Sequence, residues 1–370
     1  MIQINTPVNY YLMAGFVIFA GFKLAACVYF NVEGVPVFGG GSDANFYHAY
    51  AISGEIRPVP NIWPSILRFL NQLGLYSRDY ISYILQILSV IVLPLCIAKA
   101  GLVNSKGKSK VASLTLVIII SLSPTIFFYG LDVYRDVFML FCFTISVALV
   151  KKFIGAEKHL TKLFLFAAIS FMIFVLFGLR PYLGVAFAVS FVAYKFIKIG
   201  SRKIYLLFTV YIFFLLLLYD FGFLGELMKY RDGFEEMGGG TNLVNGFEYG
   251  FFVGISYSVL QQLFGLYIGD IKSSVFFILE TVPFVGAFIF ILVNRRFSTD
   301  LVGFLLVFFM IYSSVWLIGN ANFGTGVRLR MFSYLSVYLS AFIIYQYKHD
   351  SCSVLKNKTT KRLTPLSKRA

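Results

Sequence analysis

The sequence predicts an all-α polytopic membrane protein with about ten transmembrane helices. Two observations predict it. First, 59% of the 370 residues are apolar or aromatic, mean hydropathy is +0.80, and only 13% are charged. A soluble domain carries about 25% charged residues and about 45–50% apolar ones, with Gly counted among the latter. A globular soluble core is therefore excluded, as are a disordered tail, a coiled coil and a disulfide scaffold. Second, the apolar residues fall in runs that match the bilayer. A helix needs about 20 of them to cross about 30 Å of hydrocarbon. The 43 Phe and 24 Tyr suit lipid-facing and interfacial positions.

The expected spans, in order, are 9–30, 80–100, 111–130, 137–154, 163–179, 182–199, 204–220, 273–294, 301–318 and 329–347. The first is long and lacks the positively charged start of a cleaved signal peptide. The segments between spans two and three, four and five, and six and seven are Lys-rich, which places all three on the cytoplasmic side. Stretch 251–269 is apolar, but counting it as a span would put Arg295 and Arg296 outside, so it is expected to be interfacial or re-entrant. No internal repeat is visible. Residues 1–350 thus read as one transmembrane domain with long external loops at 31–79 and 221–272, and 351–370 as a basic cytoplasmic tail.

Twenty-one of the 32 basic residues fall on the cytoplasmic side of this scheme, sixteen of them Lys. Both termini are then cytoplasmic, and the net charge of +15 needs no nucleic acid to explain it. The opposite face uses Arg instead: Arg57, Arg68, Arg78, Arg135, Arg180, Arg231, Arg328 and Arg330. Guanidinium matches phosphate geometry with paired hydrogen bonds, whereas Lys is a point charge. The four cysteines lie in expected spans or in the tail and suggest neither a disulfide framework nor a zinc site.

Candidate chemistry gathers in the external connections. GGGSDANFYHAYA (39–51) places Asp43 at the head of a helical pattern with Tyr47 on the same face and His48 one position round. Asp43 is either a helix cap or a general base at the membrane surface. Ile62–Tyr76 carries an apolar stripe expected to lie in the interface as a helix. GLDVYRD (130–136) puts Asp132, Arg135 and Asp136 beside hydrocarbon, either as a salt-bridged helix start or as a second carboxylate opposite Asp43. GLRPY (178–182) holds Arg180 and Tyr182 with almost no loop around them. GNANFGTGVRLR (319–330) ends in Arg328 and Arg330, which share a ligand only if that piece is extended, because residues i and i+2 diverge on a helix. Glu280 lies inside a span, with Lys23 as a candidate partner.

A first external loop with Asp43 and an amphipathic helix, followed by the acidic turn after span three, resembles the C-type (GT-C-like) integral membrane glycosyltransferases. The pieces SPTIFFYGLDVYRDVFM, LRPY and NANFGTGVRLR also resemble bacterial multispanning proteins of O-antigen and capsule clusters, often assigned as polysaccharide polymerases. The resemblance implies an enzyme of the bacterial inner membrane. It would transfer undecaprenyl-diphosphate-linked sugars or oligosaccharides to a sugar hydroxyl at the periplasmic face. Asp43 would be the base and Asp132 or Asp136 the second acid. Arg135, Arg180, Arg328 and Arg330 would bind the lipid phosphate, and Tyr182, Tyr47 and His48 would contact it or the glycan. Metal-using members carry DxD or ExD where this chain has Asp43-Ala44-Asn45. Charge neutralisation is then expected to rest on Arg without a cofactor, with Mg or Mn as the alternative. Expected partners are the lipid-linked glycan, membrane lipids and a chain-length regulator protein. The rival functions are a lipid-linked oligosaccharide flippase or transporter, and a membrane acyltransferase.

Overall fold

The computed structural model describes residues 7–32, 42–53, 58–103, 108–196, 203–236, 243–267 and 271–363. Among these residues every regular element is a helix. Seven helices are long and apolar enough to cross a membrane: Tyr10–Phe30, Arg78–Gly101, Asp136–Gly155, His159–Leu179, Ser273–Phe297, Asp300–Gly319 and Phe323–His349. They match seven of the ten expected spans, and the chain is a polytopic helical membrane protein.

The other three expected spans are shorter or broken. Val111–Leu122 ends because Pro124 follows, and a residue before Pro is driven out of helical geometry. Ser123 takes ψ 116°, and its hydroxyl accepts from the Ile126 N–H to start the short helix Pro124–Phe128. Pro181–Ala193 is also short of a full crossing. Phe208–Asp220 and Gly225–Gly233 meet at a bend of 77° and amount to one span only if counted together. Stretch 251–269, expected not to span, forms the short apolar helix Phe251–Leu263.

The last helix is the axis of the molecule. Within Phe323–His349 the most apolar stretch is 89% buried, against 17% for that of His159–Leu179, which must face lipid. Small polar residues let neighbours approach it closely, as is usual where lipid supplies no hydrophobic drive between helices. Ser333 bonds Ser313 at 2.8 Å and receives the Trp316 indole N–H at 3.3 Å. Phe143 fills the centre, edge to face with Phe187 and Phe332 and tilted against Phe308. The helix runs unbroken from Phe323 to Leu363, so the described part of the expected tail continues it.

The two ends of the bundle differ. At the Lys-rich end, Gln346 donates to Gly101 O at 3.0 Å and accepts from Val103 N at 2.8 Å, while Lys151 Nζ donates to Leu102 O. At the other end, the amphipathic segment forms helix Trp63–Gln72, burying Trp63, Pro64 and Leu67 and exposing Phe69. The Trp63 indole donates to Val133 O at 2.8 Å, and Ile62 N donates to Gly178 O at 2.9 Å. These two bonds draw the turns 130–136 and 178–182 together.

Candidate functional site

Four separate pieces of chain converge at the Arg-rich end. Asp43 sits in the first turn of helix Ser42–Ile52, and Asp136 opens helix Asp136–Gly155. Both places favour a carboxylate, because helix N-termini carry positive partial charge. Arg180 separates helix His159–Leu179 from helix Pro181–Ala193. The following proline holds it extended, at φ −158° and ψ 106°, and its side chain is only 5% exposed. Arg328 stands near the start of the last helix.

Arg328 is the junction of the cluster. Its Nη1 meets Asp43 Oδ2 at 2.5 Å, and its Nε and Nη2 meet Asp136 Oδ2 at 3.2 and 2.8 Å. Arg180 Nη2 approaches the other Asp136 oxygen at 3.5 Å. Asp136 is fully buried, whereas the Asp43 side chain is 41% exposed, so only Asp43 is open to an incoming molecule. Tyr129 lies against the Arg328 guanidinium at 5.0 Å, and Tyr182 flanks Arg180 at 5.7 Å while stacking on Tyr312. Tyr47 is buried on the same helix as Asp43, and that burial raises its pKa above the ordinary value.

Positive charge is in excess here. Three guanidiniums face two carboxylates, and Arg135 adds only a bond from its Nη1 to Leu179 O at 3.0 Å. Burial, then the neighbouring Arg180 charge, pull the Arg135 pKa below its usual value. Arg135 Nε and Arg180 Nη1 are buried without a close hydrogen-bond partner, as are two acceptors next to Arg180, the second Asp136 oxygen and the Tyr312 hydroxyl. A buried donor left unmade is costly, and an anion is the natural remedy.

Other expected site residues lie elsewhere. Asp132 makes no direct bond to Asp43 but is tied through Arg78 to the helix that carries it. Its two oxygens are gripped by Arg78 at 2.9 and 2.5 Å, and Arg78 also holds Asn45 at 2.9 Å. His48 bonds the Tyr76 hydroxyl at 2.9 Å rather than any cluster residue. Arg330 points away from Arg328, since 323–330 is helical and positions two apart diverge. It pairs instead with Glu280 at 3.0 Å. Lys23, the expected partner of Glu280, donates to Ser121 O at 2.5 Å and lies over Phe127. Arg78 stands in the sequence only as one of the external arginines and Tyr129 only as part of SPTIFFYGLDVYRDVFM, so residue types alone give neither a role in the site.

Among the described residues no three His, Cys, Asp or Glu side chains gather to hold a metal ion. Asp43 and Asp136 share one guanidinium, an arrangement that suits an anion better than a cation. Comparison with protein-family models, with curated proteins and with solved structures finds no significant match. What the site can do is therefore argued from its own chemistry. It offers one accessible carboxylate, a guanidinium shared between that carboxylate and a buried one, and two further guanidiniums with unused donors.

Proposed function

We propose that the chain is a glycosyltransferase of polymerase type. It would have ten spans in a GT-C-like arrangement, sit in the bacterial inner membrane with both termini cytoplasmic, and act on undecaprenyl-diphosphate-linked sugar or oligosaccharide units at the periplasmic face. The observation that carries the proposal is the Asp43–Arg328–Asp136–Arg180 cluster. It unites an exposed acid with surplus guanidinium at the end of the bundle remote from the Lys-rich connections.

In this reading the diphosphate of the donor lipid takes the free donors of Arg135 and Arg180 and competes with Asp43 for Arg328. Release of Asp43 leaves its carboxylate free to accept the proton of the acceptor sugar hydroxyl. That oxygen forms a bond to the anomeric carbon while the bond from this carbon to the diphosphate oxygen breaks. The electron pair leaves on the lipid diphosphate, where the guanidiniums neutralise the charge that develops. Asp136, buried between Arg180 and Arg328, holds both in place. The lipid-linked donor brings its own activated bond, so no nucleotide is consumed.

One observation favours the transporter reading: the Glu280–Arg330 pair is buried within helices that cross the membrane. The role of Asp43 in the proposed chemistry has a simple test. Asp43→Asn should abolish polymer at unchanged protein level, whereas normal chain-length ladders from this variant would remove Asp43 from the chemistry.

A further inference from the structure

The Glu280–Arg330 pair takes no part in the reaction just described. Its residues are 4% and 1% exposed, and burying such a pair carries a desolvation cost. Its contacts show what it holds. One Glu280 oxygen accepts from Arg330 Nη2 at 3.0 Å. The other accepts from Ser123 Oγ at 2.6 Å and from the Thr125 N–H at 3.0 Å.

Each partner leads to the cluster within a few residues. Arg330 follows Arg328 by two positions on one helix. Fixing the guanidinium of Arg330 on one side turns Arg328 to the other, toward Asp43 and Asp136. Ser123 and Thr125 begin the short helix Pro124–Phe128, which delivers Tyr129 against Arg328. The local backbone is shaped around the same pair. Glu280 lies in a π-helical turn, Phe277–Thr281, and its carbonyl receives the Tyr338 hydroxyl at 2.8 Å. Gly265, at φ +59°, leaves room for Arg330, since a Cβ there would lie 2.8 Å from Nη1.

We propose that Glu280 is a positioning residue. Through Arg330 on one oxygen and the Ser123–Thr125 turn on the other, it sets the angular placement of Arg328 and Tyr129 against Asp43 and Asp136. This inference rests on the reading of that cluster as the reaction site and deepens it.

The test uses the full chain in lipid nanodiscs, with its native cysteines replaced by Ala and spin labels at Phe46→Cys and Thr325→Cys. The first label reports the Asp43 helix and the second the start of the Arg328 helix. The native pair should give one narrow distance distribution. Glu280→Gln with Arg330→Met removes both charges, so no buried charge is left unpaired, and should broaden it about twofold as the constraint on Arg328 is lost. Glu280→Asp, one methylene short, should fall between and carries the comparison if the double variant does not fold. An unchanged distribution in the folded variants overturns the proposal whatever the turnover.

A kinetic arm supplies the second readout. Glu280→Gln with Arg330→Met should lower kcat about tenfold with KM held within about twofold, as expected for misplacement of a group that acts on the transition state. In an Arg328→Ala background it should add no further loss, because both act through one group. Additive losses overturn the proposal. If the native chain makes no polymer, the proposed activity fails, and the distance measurement still decides the role of Glu280.

Discussion

Arg328 is the residue on which the site depends, because it alone touches both the exposed and the buried carboxylate. Lys at this position offers one point charge and cannot reproduce three donors in fixed planar geometry. Arg328→Lys should lower turnover about 100-fold, the order expected for loss of a preorganised charge contact, measured as polymer formed per unit time. Arg180→Lys should fail nearly as badly as Arg180→Ala, since a shorter, narrower headgroup cannot span the cluster; full rescue by Lys would reduce Arg180 to an ion pair. Asp132→Asn should leave turnover within about threefold, because its pair with Arg78 is partly exposed and such pairs contribute little. Tyr76 provides a check on pH. Burial pushes its hydroxyl from 10.0 up to about 12. Below pH 10 the folded and unfolded chains both hold the proton, so nothing is lost. Above it the unfolded chain ionises first and stability falls until about pH 12. Tyr76→Phe should flatten the alkaline limb of a thermal-unfolding profile.

Among the elements, the hairpin of His159–Leu179 and Pro181–Ala193 matters most, because it presents Arg180 from its apex. The two helices touch at Gly184, where a Cβ would lie 2.5 Å from the Phe177 backbone nitrogen. Backbone cannot yield as a side chain does. Gly184→Val should therefore destabilise by about 2 kcal/mol, lowering the unfolding temperature in detergent, and should splay the Arg180 turn so that activity falls before the fold is lost. Elements of this kind were only partly legible in the sequence. Long apolar runs announced seven spans directly, and the stripe over Ile62–Tyr76 announced the amphipathic helix Trp63–Gln72. Ser123–Pro124 broke a run that hydropathy alone read as continuous. The π-helical turns at Leu88–Val92, Val259–Leu263 and Phe277–Thr281 leave no mark in a hydropathy pattern, since they depend on what each turn meets in the folded bundle.

At the scale of the molecule, charge separates by type as well as by sign. Lys gathers where Gln346, Val103 and Lys151 join the helix ends, and Arg gathers where Asp43, Asp136 and Arg180 meet. This segregation was legible from loop composition, because lipid headgroups and hydration act on every loop alike. The partnerships inside it were not. That Arg328 would take Asp43 and Asp136 while Arg330 turned inward to Glu280 followed from the helical state of 323–330, and the three glycines in 319–330 left extended chain equally open. Reporters fused after residues 105 and 240 should fall on opposite sides of the membrane; the same side for both would break the ten-span scheme. The central claim is that this end of the bundle makes glycosidic bonds. Purified chain in liposomes, supplied with an undecaprenyl-diphosphate-linked oligosaccharide, should yield a ladder of longer lipid-linked glycans that disappears with Asp43→Asn. Movement of the unchanged lipid between leaflets, with no ladder formed, would contradict it.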